Sequence, residues 1–510
     1  MTEAEARAPG SRLEGPAAPE AGRRIDRRYV LAFLMITAAL AAVEGTIVAT
    51  AMPSIVASLG GFEYYSWVFA AYLLSQAVST PIFGRLADIH GRKPVLLIGI
   101  TAFLAASVAC GFATSMPMLV FFRLLQGLGA GSTMTIVSTL AGDLYEVHER
   151  GRVQAYLSSV WGVSAVLGPL LGGALVEHAN WSWIFWFNVP IGVIAIAGLR
   201  AFLHEEPVRR TAQLDLVSAG LLFVAIGAMM LLFTQGPVWG WPSSLALASL
   251  SAVAGWRFFT RQLRVSEPLI SSETWNDRLL LLANVVTLGA GMLMIGLVTY
   301  SPTYVQGVMG YSPTIAGLTL TAMSFGWTLA SAAAGRLVVP LGPALTGRLG
   351  GVFAFVGGLM YLLLTPERGP LWVAASSAVV GLGLGFLMTT TVVTIQTLVS
   401  WQRRGTATAT NLLMRILGNS VGAALLGGVL NVALKRQVAS MPGVGDSAAE
   451  RATALAQIER LLTPGYEGTV DPGLNALLAS GLHVAYIGVF SIGVVVLVLS
   501  FMLPRSRRLV

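Results

Sequence analysis

Residues 41–53 read AAVEGTIVATAMP and place one carboxylate, Glu44, inside an apolar run that begins near Tyr29. Such a run can cross a bilayer, for which about 20 apolar residues suffice. An ionised side chain at mid-membrane costs roughly 3 kcal/mol even on the mildest scales, so a carboxylate at this depth points to function. The alternative is a Glu close enough to its helix end to reach water.

The rest of the chain shares the apolar character of this stretch. Of its 510 residues, 55% are hydrophobic and 11% charged, with a mean hydropathy of +0.73; soluble domains carry about 25% charge. Fourteen apolar segments follow one another, near 29–52, 66–86, 94–114, 117–141, 153–176, 183–203, 213–234, 243–262, 279–300, 313–336, 344–364, 370–399, 405–434 and 479–503. The chain therefore reads as an all-α polytopic membrane protein, and an even number of spans puts both termini on one side. Lysine and arginine choose that side, because positive loops mark the cytoplasmic face. With the amino terminus inside, 25 of them fall in cytoplasmic segments and 5 outside, while Arg123 and Arg415 lie within spans. This distribution explains the net charge of +8 without any nucleic-acid partner. The single Cys110 excludes an intrachain disulfide, and the five His are scattered, so neither a metal site nor a cofactor is expected. No GxxxxGK[ST] stretch is present, which leaves an ATP-driven P-loop pump without support.

Residues 1–28 hold Glu3, Glu5, Glu14 and Glu20 ahead of any apolar run. That is unlike a cleaved signal peptide, and the segment reads as a disordered cytoplasmic tail. Farther on the chain repeats itself. GRLADIHGR at Gly84–Arg92 returns as GRLVVPLGP at Gly335–Pro343, an offset of 251, and GLGAGSTMT at Gly127–Thr135 returns as GLGLGFLMT at Gly381–Thr389, an offset of 254. Parallel repeats of this kind build transporters from two related bundles. The division that follows is a 1–28 tail, a 29–203 six-helix bundle, a 204–278 two-helix insert with linkers, a 279–503 six-helix bundle carrying an outer loop at 435–478, and a 504–510 tail. The polar link Arg264–Arg278 is read as partly surface-lying, and Ala448–Leu462 in the outer loop has the apolar spacing of an amphipathic helix.

Two motifs carry most of the remaining signal. In GRLADIHGRK the glycines allow a tight reversal and Asp88 can accept from donors at a neighbouring helix start. In SAVLGPLLGG, Pro169 removes a backbone donor while Gly168, Gly172 and Gly173 remove bulk, which serves either close packing or bending.

These residues also carry a resemblance. GRLADIHGRK resembles the signature between helices two and three of the major facilitator superfamily. RLLQGLGAG at Arg123–Gly131 resembles its helix-four motif, and SAVLGPLLGG at Ser164–Gly173 the helix-five motif of its antiporters. AAVEGTIVATAMP, SWVFAAYLL at Ser66–Leu74 and NLLMRILGNSVGAALLGG at Asn411–Gly428 are similar to its fourteen-helix drug:proton antiporters. The resemblance implies a 6+2+6 major facilitator fold in a bacterial-type plasma membrane, with a cavity between two halves that opens alternately to each side. It also implies a conformational switch at Gly84, Asp88, Gly91, Arg92 and Asp143, in which Asp88 and Arg92 form a cytoplasmic charge cluster with Asp143 holding the outward-facing state; loop charges that merely fix orientation are the alternative. The second copy has Val339 and Pro343 where Asp88 and Arg92 stand, so only the first half can carry such a latch.

Depth connects the buried charges. Glu44 lies roughly 22 Å from the inner end of the first span and Arg123 roughly 9 Å from the outer end of the fourth, at about 1.5 Å per residue. In a core of about 30 Å these levels coincide, and the superfamily fold sets the two spans side by side. The resemblance thus makes Glu44 and Arg123 a proton-coupling pair, in which protonation of the acid releases the arginine. Where the family usually carries Asp, this chain carries the longer Glu. Arg415 has no obvious partner in its own segment and is left between Glu44, a substrate anion and a helix-end carbonyl. Tyr72, Gln76, Gln126, Trp161, Gln396 and Asn411 are candidates for the cavity wall, or for ordinary packing and interhelical hydrogen bonds.

The expected function is that of a monomeric, non-enzymatic proton-coupled antiporter that exports hydrophobic small molecules. Members of the family it resembles that handle dications tend to use several cavity acids, so with Glu44 as the only acid deep in a span the resemblance implies monocationic or neutral cargo. A lipid exporter or flippase and a non-transporting ligand sensor are the competing readings.

Overall fold

Inside a bilayer a backbone N–H or C=O finds no water, and an apolar segment satisfies both only by coiling on itself. The computed structural model describes residues 23–145, 147–205, 215–265, 277–399, 404–439 and 472–503, and among these there is no strand. The first bundle comprises α1 (Arg23–Leu59), α2 (Tyr65–His90), α3 (Arg92–Gly111), α4 (Met116–Leu144), α5 (Val147–His178), the single turn α6 (Trp183–Trp186) and α7 (Asn188–Phe202). Next come α8 (Leu216–Trp239) and α9 (Trp241–Gln262). The second bundle is α10 (Arg278–Thr303), α11 (Pro313–Leu362), α12 (Gly369–Leu398), α13 (Arg404–Ala439) and α14 (Pro472–Met502). Gly342, at φ 80°, bends α11 into two arms, Pro313–Val338 and Pro340–Leu362.

Among the described residues, twelve helical stretches are long and apolar enough to cross a membrane. The expected spans 66–86 and 243–262 are also helices, α2 and α9, of 26 and 22 residues, but they fall outside the twelve. Helix α2 carries Ser66, Ser75, Gln76 and Ser79, polar residues buried within the protein that lower its apolar character.

Three boundaries differ from the sequence reading. Helix α1 begins at Arg23, inside the expected 1–28 tail, where the Tyr145 hydroxyl donates to the Arg27 carbonyl at 2.6 Å. At the other bundle α13 runs to Ala439 and α14 starts at Pro472, so both helices enter the expected 435–478 loop. Counting apolar residues finds where a chain crosses hydrocarbon, whereas the helix itself continues into the polar interface until its hydrogen-bond ladder ends. The amino-terminal residues 1–22, the expected outer helix at 448–462 and the link residues 266–276 lie outside the described residues.

The repeat is visible as packing. A methyl on Gly127 of α4 would meet the Tyr72 carbonyl oxygen of α2 at 2.2 Å, and one on Gly381 of α12 would meet the Met323 carbonyl oxygen of α11 at 2.1 Å. Both glycine-rich stretches therefore let a helix press on its neighbour's backbone, which any side chain would prevent. The two bundles also meet at the end where α1 turns into α2, away from the arginines of the α2–α3 turn. There Gln306 Nε2 donates to the Thr50 carbonyl at 3.0 Å, and Tyr65 Oη lies 2.6 Å from Thr303 Oγ1. Asn431 Nδ2 donates to the Glu63 carbonyl at 2.9 Å, and Lys435 stands 3.5 Å from the Glu63 carboxylate.

Candidate functional site: a sealed ion pair in the first bundle

Around position 44, α1 turns one face to the glycines of α5 and another to α4 and α7, and this decides what surrounds the acid. Glu44 is 0% exposed and Arg123, from α4, is 1% exposed. Arg123 Nη1 donates to both Glu44 Oε1 and Gln126 Oε1, the latter at 2.7 Å, while Nε donates to the Val68 carbonyl at 3.2 Å. The other carboxylate oxygen, Oε2, accepts from Asn188 Nδ2 of α7 at 2.7 Å. Ser107 of α3 closes the ring: its hydroxyl accepts from Asn188 at 3.0 Å and from Gln126 Nε2 at 3.2 Å, and donates to the Phe185 carbonyl at 2.8 Å. Below the guanidinium lies Tyr72, with Cζ 4.2 Å from the ring centre.

A buried ion pair repays its desolvation only when the remaining donors and acceptors are also met. Here both carboxylate oxygens and two guanidinium nitrogens are met by side chains or backbone from α1, α2, α4 and α7. The expected partnership of Glu44 with Arg123 is present. The pair sits within the first bundle, whereas the sequence reading put it on the cavity between the halves. Asn188 and Ser107 were missed, although Asn188 gives the same signal as Glu44, a lone polar residue at the head of an apolar run.

At the α2–α3 turn the structure shows a cap that the sequence reading did not name. Gly91 takes φ 91°, which favours glycine, and the start of α3 is capped by a residue far along the chain, Glu205. Its two oxygens accept from the backbone N–H groups of Arg92 and Lys93, each at 2.7 Å. In return Lys93 Nζ donates to the Arg200 and Leu203 carbonyls at the end of α7, at 3.0 and 2.5 Å. Charges thus complement both helix ends. Gly84 lies against α4, where an added methyl would be 3.2 Å from Thr135 Cγ2. The side chains of Asp88 and Asp143, the acids of the expected cluster, lie outside the described residues.

The helix-five motif faces two ways. Methyls on Gly168 and Gly172 would lie 2.0 Å from Thr46 Oγ1 and 2.7 Å from the Ile47 carbonyl oxygen, both on α1. One on Gly173 would reach Thr314 Cα of α11 at 2.7 Å, and Gly317 of α11 approaches the Pro169 carbonyl so closely that its methyl would stand 2.4 Å away. The motif therefore seats α5 on its own bundle and on the other one at once. Pro169 removes a donor without interrupting α5.

The cavity-wall candidates separate. Tyr72 and Gln126 belong to the ion-pair pocket, and Gln76 is buried on α2. Asn411 is buried within the second bundle, donating to Asn284 Oδ1 at 3.1 Å and Thr287 Oγ1 at 2.9 Å. Gln396 is exposed near the end of α12. Trp161, 38% exposed on α5, faces Arg415 of α13, whose Cζ is 5.8 Å from its ring centre. Among the described residues no group of His, Cys, Asp and Glu could hold a metal ion.

Two helical bundles related by a parallel repeat, joined at one end and carrying a sealed acid–guanidinium pair, define a multi-pass membrane transporter. Residues 34–423 match the family model of the Major Facilitator Superfamily, and the chain belongs to that superfamily. It is 32% identical over 410 residues to "Multidrug resistance protein 3" of Bacillus subtilis, an alignment covering 80% of each chain. To "Multidrug transporter protein MdtP" of the same organism it is 31% identical over 420 residues, 80% of this chain and 76% of the other. Among solved structures, a bacterial homologue of the human lysosomal transporter Spinster, in an inward-facing and unoccupied conformation, superposes with a TM-score of 0.69 at 17% identity, covering 94% of this chain and 97% of the other. Superfamily members are transporters rather than enzymes, and this one is a multi-pass protein of the inner-membrane type.

Proposed function

We propose that this protein is a proton-coupled antiporter that exports lipophilic small molecules, and that Glu44 is its proton site. The observation that carries the reading is the sealed pair of Glu44 and Arg123. When Glu44 takes a proton, the guanidinium loses its counter-ion, keeps Gln126 and the Val68 carbonyl, and no longer ties α1 to α4 by charge. Asn188 remains within reach of the neutral acid. Losing the proton restores the pair, so the packing of α1 on α4 differs between the two protonation states, as a coupled transporter requires.

Multidrug transport by relatives of about 30% identity supports efflux. The proposal includes fourteen spans with α2 and α9 among them, both termini in the cytoplasm, a monomer, and a cytoplasmic latch formed by Asp88, Arg92 and Asp143. The driving force is adequate: one charge crossing 100 mV supplies about 2.3 kcal/mol, and a tenfold gradient needs about 1.4 kcal/mol.

The test is proton release from purified protein in weakly buffered detergent when a transported compound is added. Wild-type protein is expected to release protons; Glu44→Gln is expected to bind the compound and release none. Equal release from the variant would remove Glu44 from the mechanism.

A further inference from the structure

Arg415 stands apart from every other described charge in the membrane interior. It lies on α13, well inside the apolar stretch Thr410–Val438. Its backbone is pressed on α10, where a methyl on Gly291 would touch the Arg415 carbonyl oxygen at 2.5 Å. Its side chain crosses toward the other bundle and ends 5.8 Å from the Trp161 ring of α5. Among the described residues no carboxylate pairs with it and no acceptor hydrogen-bonds to it. Trp161 is 38% exposed although it too lies within an apolar stretch, Ser159–His178. Beside it, Gly162 looks toward Thr328 of α11, an added methyl being 3.8 Å from that hydroxyl. This face of α5 therefore opens onto the second bundle. Glu44, by contrast, is enclosed and already neutralised by Arg123.

From this we infer that the seam between the bundles binds amphipathic anions, with Arg415 taking the carboxylate of a lipophilic acid and Trp161 stacking on its ring. The inference rests on the export function proposed above and names its cargo. A guanidinium presents a planar fork that matches a carboxylate with two parallel hydrogen bonds. An aromatic body beside it gains from the indole face. A charge held without a counter-ion in a membrane interior is expensive, and a ligand that supplies the missing charge recovers that cost on binding. A cation would meet repulsion at the same place. The sequence-based expectation of monocationic or neutral cargo assumed a Glu44 open to the substrate, and the enclosed pair withdraws that assumption.

Three probes with one ring system test the inference: 9-anthracenecarboxylate, 9-anthracenemethanol and a trimethylammonium derivative of the same methylanthracene, titrated against the full chain in nanodiscs. Wild-type protein is expected to bind the carboxylate at least tenfold more tightly than the cation. Arg415→Gln is expected to weaken the carboxylate by about tenfold to a hundredfold, the usual worth of a hydrogen bond to a charged group. The same variant leaves the neutral alcohol within about twofold, which also shows that it is folded, and Arg415→Lys recovers part of the loss. A wild-type preference for the cation, or an Arg415→Gln variant with undiminished carboxylate affinity, would overturn the inference. Phosphatidylglycerol in place of phosphatidylcholine discs separates a free acid from a lipid phosphate: displacement of the carboxylate by that lipid would overturn the assignment to a free acid. Anion binding that depends on Arg415 but releases no proton would count against the coupling proposal and leave this one standing.

Discussion

Arg123 precedes Ser377 by the repeat's offset of 254, and Cys110 precedes Tyr361 by 251, so the two bundles can be compared position by position. Gly168 packs on Val43 and Thr46, and its mate Gly422 on Met292 and Ile295, which sets Glu44 against Leu293. In the first bundle these places hold an acid, a guanidinium and the Cys110 thiol, 3.7 Å from Gln126 Oε1. In the second they hold a buried leucine and a hydroxyl cluster: Tyr361 Oη lies 2.6 Å from Ser377 Oγ and donates to Ser301 Oγ at 3.3 Å. One backbone frame thus supports a charged core in one half and a neutral hydroxyl core in the other. The proton coupling proposed above has a carboxylate to use at these positions in the first bundle and none at the matching described positions of the second.

The largest expected effect separates these two cores. Glu44→Gln leaves a buried guanidinium without its counter-ion and should cost about 3–5 kcal/mol of stability, whereas Ser377→Ala should cost about 1 kcal/mol. Adding Arg123→Gln to Glu44→Gln should recover much of the stability in thermal unfolding while substrate-driven proton release stays absent. Equal costs at Glu44 and Ser377 would break the comparison. Next come the positions where the halves are alike. Gly127→Val and Gly381→Val should each destabilise by roughly 1–3 kcal/mol through overpacking, because both side chains would run into a carbonyl of the adjacent helix; a large disparity between them would show that the frames differ.

A smaller effect distinguishes the two turns. Gly91 and Gly342 are repeat mates at φ 91° and 80° with ψ 154° and 159°, a region essentially reserved for glycine, so replacing either by Ala should cost about 1–3 kcal/mol. Gly91→Ala should be the worse, since its methyl would lie 3.1 Å from Glu205 Oε2 whereas nothing stands within 4 Å at Gly342. The smallest effect belongs to a surface pair, half-buried Asp215 and exposed Arg261, 3.0 Å apart at the foot of α8 and α9. Burial works to raise the Asp215 carboxyl, but hydrogen bonds from Ser218 and Arg261 outweigh it and hold the group below its ordinary value. A depressed acid contributes stability above its unfolded pKa, near 3.9, and loses it as the pH falls toward its folded value. Asp215→Asn should therefore lower stability by no more than about 1 kcal/mol at neutral pH, with the difference vanishing in acid, as a pH series of thermal unfolding would report.

The legible and the hidden parts of the site follow from how far each interaction reaches along the chain. Glu44 and Arg123 were visible because each breaks an apolar run, and their common level follows from the helix rise. Asn188 breaks a run as well, but nothing in its own segment says that it turns toward α1. Glu205 carries no signal of its own in the sequence, because the helix end it caps is more than 100 residues away in the chain. For Asn411 the sequence left open a cavity wall or an interhelical hydrogen bond, and its position toward α10 supplies the hydrogen bond.

By itself the sequence determined that the chain crosses the membrane many times, which loops carry the arginines, that two bundles are related by repetition, and that one of them holds an acid and a base at similar depth. Those properties are local or periodic, and they survive in one dimension because apolar length, charge and glycine spacing act over a turn or a span. Tertiary structure alone decided that Glu44 is closed off with its partner while Arg415 is left facing the seam. Burial and pairing depend on which faces of five helices meet, and no single helix encodes that.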